Sequence, residues 1–93
     1  MQLEELQKLR RSIDAIDRQI LDLVTERAKL ALAVGELKRT HQLPIYDPDR
    51  EREMLDELAA EARAPLGADA VRRVFECVIT ESRLLQQCHH PTG

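Results

Sequence analysis

From Leu6 to Leu37 the chain keeps one hydrophobic period, interrupted at a single position. Leu6, Leu9, Ile13, Ile16, Ile20 and Leu23 recur at alternating spacings of three and four residues, and after a step of one heptad Leu30, Val34 and Leu37 resume them. That is a coiled-coil-like seam along one helix face, held for over four heptads. Gly35 falls inside the pattern and costs some helicity, but the period continues to Leu37, so the spacing predicts one helix from about Leu3 to Arg39. Such a helix spans roughly 54 Å. A compact domain of this chain's 93 residues has a radius of gyration of only about 12 Å. The helix therefore cannot lie inside a globule built from its own chain, and its apolar seam forbids a bare projection into water. The expectation is an all-α, intertwined homodimer with the long helix paired across the two-fold axis.

The remaining breakers, Pro44, Pro48, Pro65 and Gly67, set off two further helices. Residues 41–46 read as a loop, because Pro44 excludes a continuing helix. Asp47-Pro48-Asp49 is a helix start: Asp47 suits the N-cap, Pro48 the first helical position, and Asp49 complements the dipole. Met54, Leu55, Leu58 and Ala62 form the apolar face of this second helix, which Ala64-Pro65-Leu66-Gly67 breaks. A third helix is predicted from about Ala68 to Gln87, with Val71, Val74, Phe75, Val78, Ile79 and Leu85 inward. No period-2 alternation suggests strands, and no internal repeat appears. Residues 1–88 read as one helical domain and 89–93 as a disordered tail.

Composition removes several function classes. Seventeen acidic against fourteen basic residues give a net charge of −3, which argues against nucleic acid as a partner. Tyr46 and Phe75 as the only aromatics offer no stacking platform for single strands. No apolar run is long enough for a membrane span or a signal-peptide core. Cys77 and Cys88 are too few for a disulfide scaffold, and on one helix eleven residues separate them by roughly 16 Å. The chain is expected to be a reduced, cytoplasmic protein. His41 stands alone and His89-His90 lies on the tail, so no metal-ligand spacing exists, and no phosphate loop or catalytic triad stands out.

The polar residues that fall where the pattern wants apolar ones are the informative ones. Arg27 occupies the seam position between Leu23 and Leu30. It is either a register-setting polar residue or a buried cation that needs an anionic partner. Lys38 lies three turns further and about 20° around the helix, so it can converge with Arg27 on a ligand, or simply be a solvated lysine at a helix end. Ser82 and Gln86 form an i,i+4 pair on the inward stripe of the third helix, which marks a polar pocket or a stripe drifting to the surface. Asp47 and Glu51, with Arg50 between them, read locally as a cap and a solvated face. Arg10, beside Arg11, reads as an ordinary surface arginine. Taken together, cations and neutral hydrogen-bonders inside a helical bundle suit a small polyanion, a dicarboxylate above all.

These residues, in this order, resemble the all-helical chorismate mutases, the AroQ family. The resemblance runs from about Leu6 to Gln87. It is carried by Leu9-Arg10, Ile13-Asp14-Ala15-Ile16-Asp17, Glu26-Arg27, Val34-Gly35 through Lys38, Asp47-Pro48-Asp49-Arg50-Glu51, and Ser82 with Gln86. It implies a dimer of three-helix chains. Arg27 and Lys38 would bind the substrate's carboxylates, with Lys38 also reaching the ether oxygen. Arg10 would enter the other subunit's pocket, in keeping with its separation of about 42 Å from Lys38 along one helix. Glu51 and Asp47 would address the ring hydroxyl, Arg50 would support that end, Ser82 would contact a carboxylate, and Gln86 would donate to the ether oxygen.

The implied reaction is the Claisen rearrangement of chorismate to prephenate in aromatic amino-acid biosynthesis, which needs no nucleophile, cofactor or metal. Lys38, Gln86, Arg27 and Glu51 would be its catalytic set. Three other activities fit the same scaffold: an isochorismate-pyruvate lyase, a mutase of 4-amino-4-deoxychorismate, and a non-catalytic module sensing prephenate for a shikimate-pathway enzyme. Asp47 and Glu51 together favour the mutase over the lyase. Carboxylates suit an ammonium as well as a hydroxyl, so the amino substrate stays open. A purely structural helical dimer would make Arg27, Ser82 and Gln86 accidents. A free enzyme and a part of a fusion remain equally open.

Overall fold

A computed structural model describes residues 2–88, so the expected tail at 89–93 lies outside the described residues. The three helices are α1 (Gln2–Thr40), α2 (Pro48–Ala60) and α3 (Ala68–Cys88), and no strand occurs among the described residues. Each lies within one residue of its expected start and, for α1 and α3, its expected end. The 39-residue α1 sets the molecule's longest dimension, 60 Å, and its radius of gyration of 17.2 Å. Both α1 and α2 pack on α3.

Helix α1 divides along its length. Its first two-thirds carry the bare seam, where Leu9, Ile13, Ile16, Ile20 and Leu23 each keep more than half of their surface exposed, as does Leu30 further on. Its last third packs on α3 through a different stripe, in which Ala31 and Gly35 are buried and Ala28, Leu32 and Arg39 half-buried. The heptad seam and the intrachain packing face are thus two faces of one helix. Small side chains on the second let α3 approach closely.

On α3, Val71 and Ile79 are buried and Phe75 and Val78 half-buried, as expected. Val74 and Leu85 are exposed instead, at 53% and 39%. They lie about 70° and about 50° off the centre of the stripe through Val71, Phe75, Val78 and Ser82 at about 100° per residue, on the side opposite Ile79, which carries them past the edge of the α1 and α2 contacts. The whole core below one-tenth exposure is Ala31, Ala59, Val71 and Ile79 among hydrophobic residues, with no large side chain fully buried among the described residues.

Two local devices set the α1–α2 turn. Leu43 N–H donates to Lys38 O at 2.7 Å and Gln42 N–H to Arg39 O at 3.2 Å, which closes α1 with a Schellman motif. Its left-handed position is Gln42, at φ 55°. The chain then reverses and re-enters helix at Asp47, whose side chain accepts from Arg50 N–H at 3.1 Å, with Pro48 at the first helical position.

Candidate active site

The last third of α1, the returning loop, the first turns of α2 and the end of α3 enclose a cleft of about 480 Å³, open on one side. That volume lies in the ordinary range for small-molecule sites, roughly 300–1,000 Å³. Leu30, Ala31, Val34, Ile45, Met54 and Ile79 supply apolar walls. The polar lining is Arg27, Lys38, Asp47, Arg50, Glu51, Ser82, Arg83 and Gln86. Seven of the eight sequence candidates therefore meet in one cleft. Arg10 does not: it is exposed on the free part of α1, 28 residues before Lys38, about 42 Å along the helix. Four cations against two carboxylates leave the lining two charges positive, in a chain of net charge −3. Such a surface attracts dianions.

Arg27 Nη1 donates to Ser82 Oγ, and Ser82 Oγ donates to Val78 O at 3.0 Å. The Ser82 proton is thus engaged by its own helix, and its lone pairs orient the Arg27 guanidinium. Lys38 is half-buried and its Nζ donates to Ile45 O at 3.1 Å, a carbonyl delivered by the Schellman reversal. An ammonium carries three donors, so this bond leaves two for a ligand.

Gln86 is held from behind. A Cβ on Gly35 would lie 3.0 Å from Gln86 Cγ and 3.2 Å from its Cβ, so only glycine lets α3 come this close without displacement. Arg39 Nη1 donates to the Gln86 carbonyl at 3.0 Å and satisfies one of the acceptors left open at the C-terminus of α3. Nε and Nη2 of Arg39 are buried and find no acceptor among the described residues.

At the α2 side, Asp47 Oδ1 is committed to its helix cap, so the residue both caps α2 and lines the cleft. Glu51 Oε2 accepts from Arg83 Nε at 3.0 Å, and both side chains are about three-quarters buried. The Arg83 guanidinium also lies 4.8 Å from the centre of the Tyr46 ring, within cation–π range. Sequence reasoning misses Arg83, Arg39 and the packing role of Gly35. Arg83 is accessible by the criterion that singles out Arg27: it stands one turn after Ile79, a cation on a row that is buried. Arg39 and Gly35 carry no such signal, because their importance comes from a neighbour on α3.

Comparison with known proteins follows the same outline. The family model for chorismate mutase type II matches residues 9–87. A bifunctional chorismate mutase/prephenate dehydratase of Aquifex aeolicus is 52% identical over 56 residues, which is 60% of this chain and 16% of that protein. The chain spans about a fifth of the length of such bifunctional relatives. Among solved structures, a chorismate mutase from Thermus thermophilus superposes with a TM-score of 0.89 at 36% identity, covering 94% of this chain and 99% of that one. A Helicobacter pylori chorismate mutase in complex with prephenate gives 0.81 at 33% identity, covering 88% and 89%.

Proposed function

The chain belongs to the chorismate mutase type II family, and from that premise we propose that it converts chorismate to prephenate, as a cytoplasmic homodimer, in aromatic amino-acid biosynthesis. The observation that carries the reading is the cleft itself: a positive lining two charges in excess, in which Lys38 and Gln86 stand beside apolar walls from Leu30, Ala31, Val34, Ile45, Met54 and Ile79. The substrate is a dianion. Arg27 takes one carboxylate and Lys38 the other, with Ser82 contacting a carboxylate through a rotation of its hydroxyl.

In the rearrangement the ether C–O bond breaks as the enolpyruvyl CH₂ bonds to the ring, six electrons move in a cycle, and no proton enters or leaves. A protein accelerates such a step by holding the chair-like conformer and by meeting the charge that builds on the ether oxygen. Lys38 and Gln86 are donors for that oxygen. Their contribution grows as the bond breaks, so it falls on the transition state more than on the substrate. Glu51 and Asp47 receive the ring hydroxyl, with Arg50 supporting that end.

The dimer is supported by surface arithmetic. The single chain exposes 7674 Å², where a compact monomer of this mass exposes about 5,500 Å². The excess, roughly 2,200 Å² per chain, suits an obligate interface. The bare seam of α1 is where it lies. Pairing that seam across a two-fold axis brings the Arg10 end of one helix toward the cleft of the other chain and completes the site.

A spectrophotometric assay of purified protein tests the function, following chorismate loss with product identification and with isochorismate in parallel. Prephenate formed from chorismate is the expected result. A folded dimer that leaves chorismate unchanged would falsify it.

A further inference from the structure

We propose that Arg83 is a specificity-determining residue that, by pairing with Glu51, sets the cleft for a ring hydroxyl and against a ring ammonium. The inference rests on the mutase reading and names the substrate class of that same site. Glu51 and Asp47 are the only carboxylates lining the cleft among the described residues. A bare carboxylate pair would serve an ammonium group as readily as a hydroxyl. Here Glu51 is already bound to a guanidinium at 3.0 Å, and Arg50 lines the same end. The local charges at the α2 end thus cancel, two carboxylates against two arginines, and the surplus of two positive charges sits with Arg27 and Lys38.

A hydroxyl needs only an acceptor, and the pair engages one Glu51 oxygen and leaves the other with acceptor capacity. An ammonium taken out of water needs a counter-charge, and would meet Arg50 and Arg83 as like charges. Overall balance points the same way. A surplus of two positive charges matches a dicarboxylate with a neutral ring substituent, whereas an ammonium lowers the ligand's charge by one. Arg83 also lies against the Tyr46 ring at 4.8 Å, a contact that holds its charge at the α2 end whether or not Glu51 is engaged.

The test is the ratio of kcat/KM for chorismate to kcat/KM for 4-amino-4-deoxychorismate, measured in the unaltered chain and in Arg83→Leu, Arg83→Gln and Arg83→Lys. Circular dichroism identifies the variants that fold. The unaltered chain is expected to favour chorismate, and Arg83→Leu and Arg83→Gln to narrow that preference by about tenfold or more. Arg83→Lys, which restores the charge, is expected to restore most of the preference. A merely structural role for Arg83 would depress both substrates together and leave the ratio where it was. Chorismate turnover with an unmoved ratio in folded Leu and Gln variants overturns this inference and leaves the mutase reading intact. Failure of the unaltered chain to turn over chorismate overturns both.

Discussion

Gly35 and Gln86 meet where α1 crosses α3, and the contact ties a helix-breaking residue to the proposed chemistry. A methyl group at position 35 adds helix propensity, worth up to about 1 kcal/mol, yet it crowds Gln86, which must give way. Gly35→Ala is therefore expected to melt near the unaltered protein while kcat falls by about tenfold, since small misplacement of Gln86, the proposed transition-state donor, is costly. Thermal melts and steady-state kinetics on one preparation check both halves. Lys38→Ala removes the cation expected at the ether oxygen. By the scale of a lost oxyanion donor, about 3 kcal/mol, kcat should drop by roughly 10² or more. The helical spectrum should be retained, because Lys38 makes one bond to a loop carbonyl. Near-normal turnover in that variant would sink its assignment. At this scale the sequence is partly legible. Arg27 announces itself by breaking an apolar period, and Ser82 and Gln86 by extending one. Gly35 looks merely tolerated, because its meaning is a distance to another helix.

The α1–α2 turn shows how an element boundary serves the cleft. Pro44 and Asp47-Pro48 make the turn readable from sequence. The left-handed Gln42 is not, since that position usually selects glycine and the sequence has none there. A non-glycine residue there costs roughly 1 kcal/mol, so Gln42→Gly is expected to raise stability by about that amount and leave kcat/KM unchanged. A denaturant titration gives the answer, and a loss of stability would mean that Gln42 is held by something other than its backbone. Val74 and Leu85 teach the converse lesson. A helix periodicity identifies a face, but the neighbour's width decides how far around that face burial extends.

For the whole molecule, a 39-residue helix with a bare seam over a core of four small or medium hydrophobic residues supports the proposed dimer. Light scattering should give the mass of two chains at micromolar concentration, and Ile16→Glu on the seam should lower helicity and mass together. The proposed sharing of Arg10 between subunits makes a sharper demand. Arg10→Ala and Lys38→Ala should each be inactive alone, yet mixing them equally after co-refolding should recover about a quarter of the unaltered activity. Half of the dimers are then mixed, and each mixed dimer holds one site with both residues intact. Persistent inactivity of the mixture would place Arg10 outside the partner's cleft.

Helix number, helix ends, the turn and the length argument for a partner followed from the residues, because periodicity, capping and proline act over a few neighbouring positions. So did most of the polar set, since a charge on an apolar stripe is anomalous wherever the chain folds. What only the tertiary structure decided is how those groups are engaged. It decided that Ser82 orients Arg27, that Arg39 and Gly35 hold Gln86, and that Arg83 neutralises Glu51. Those are distances between residues 32 to 55 positions apart, fixed by how α1 and α2 settle on α3. No local pattern carries that information.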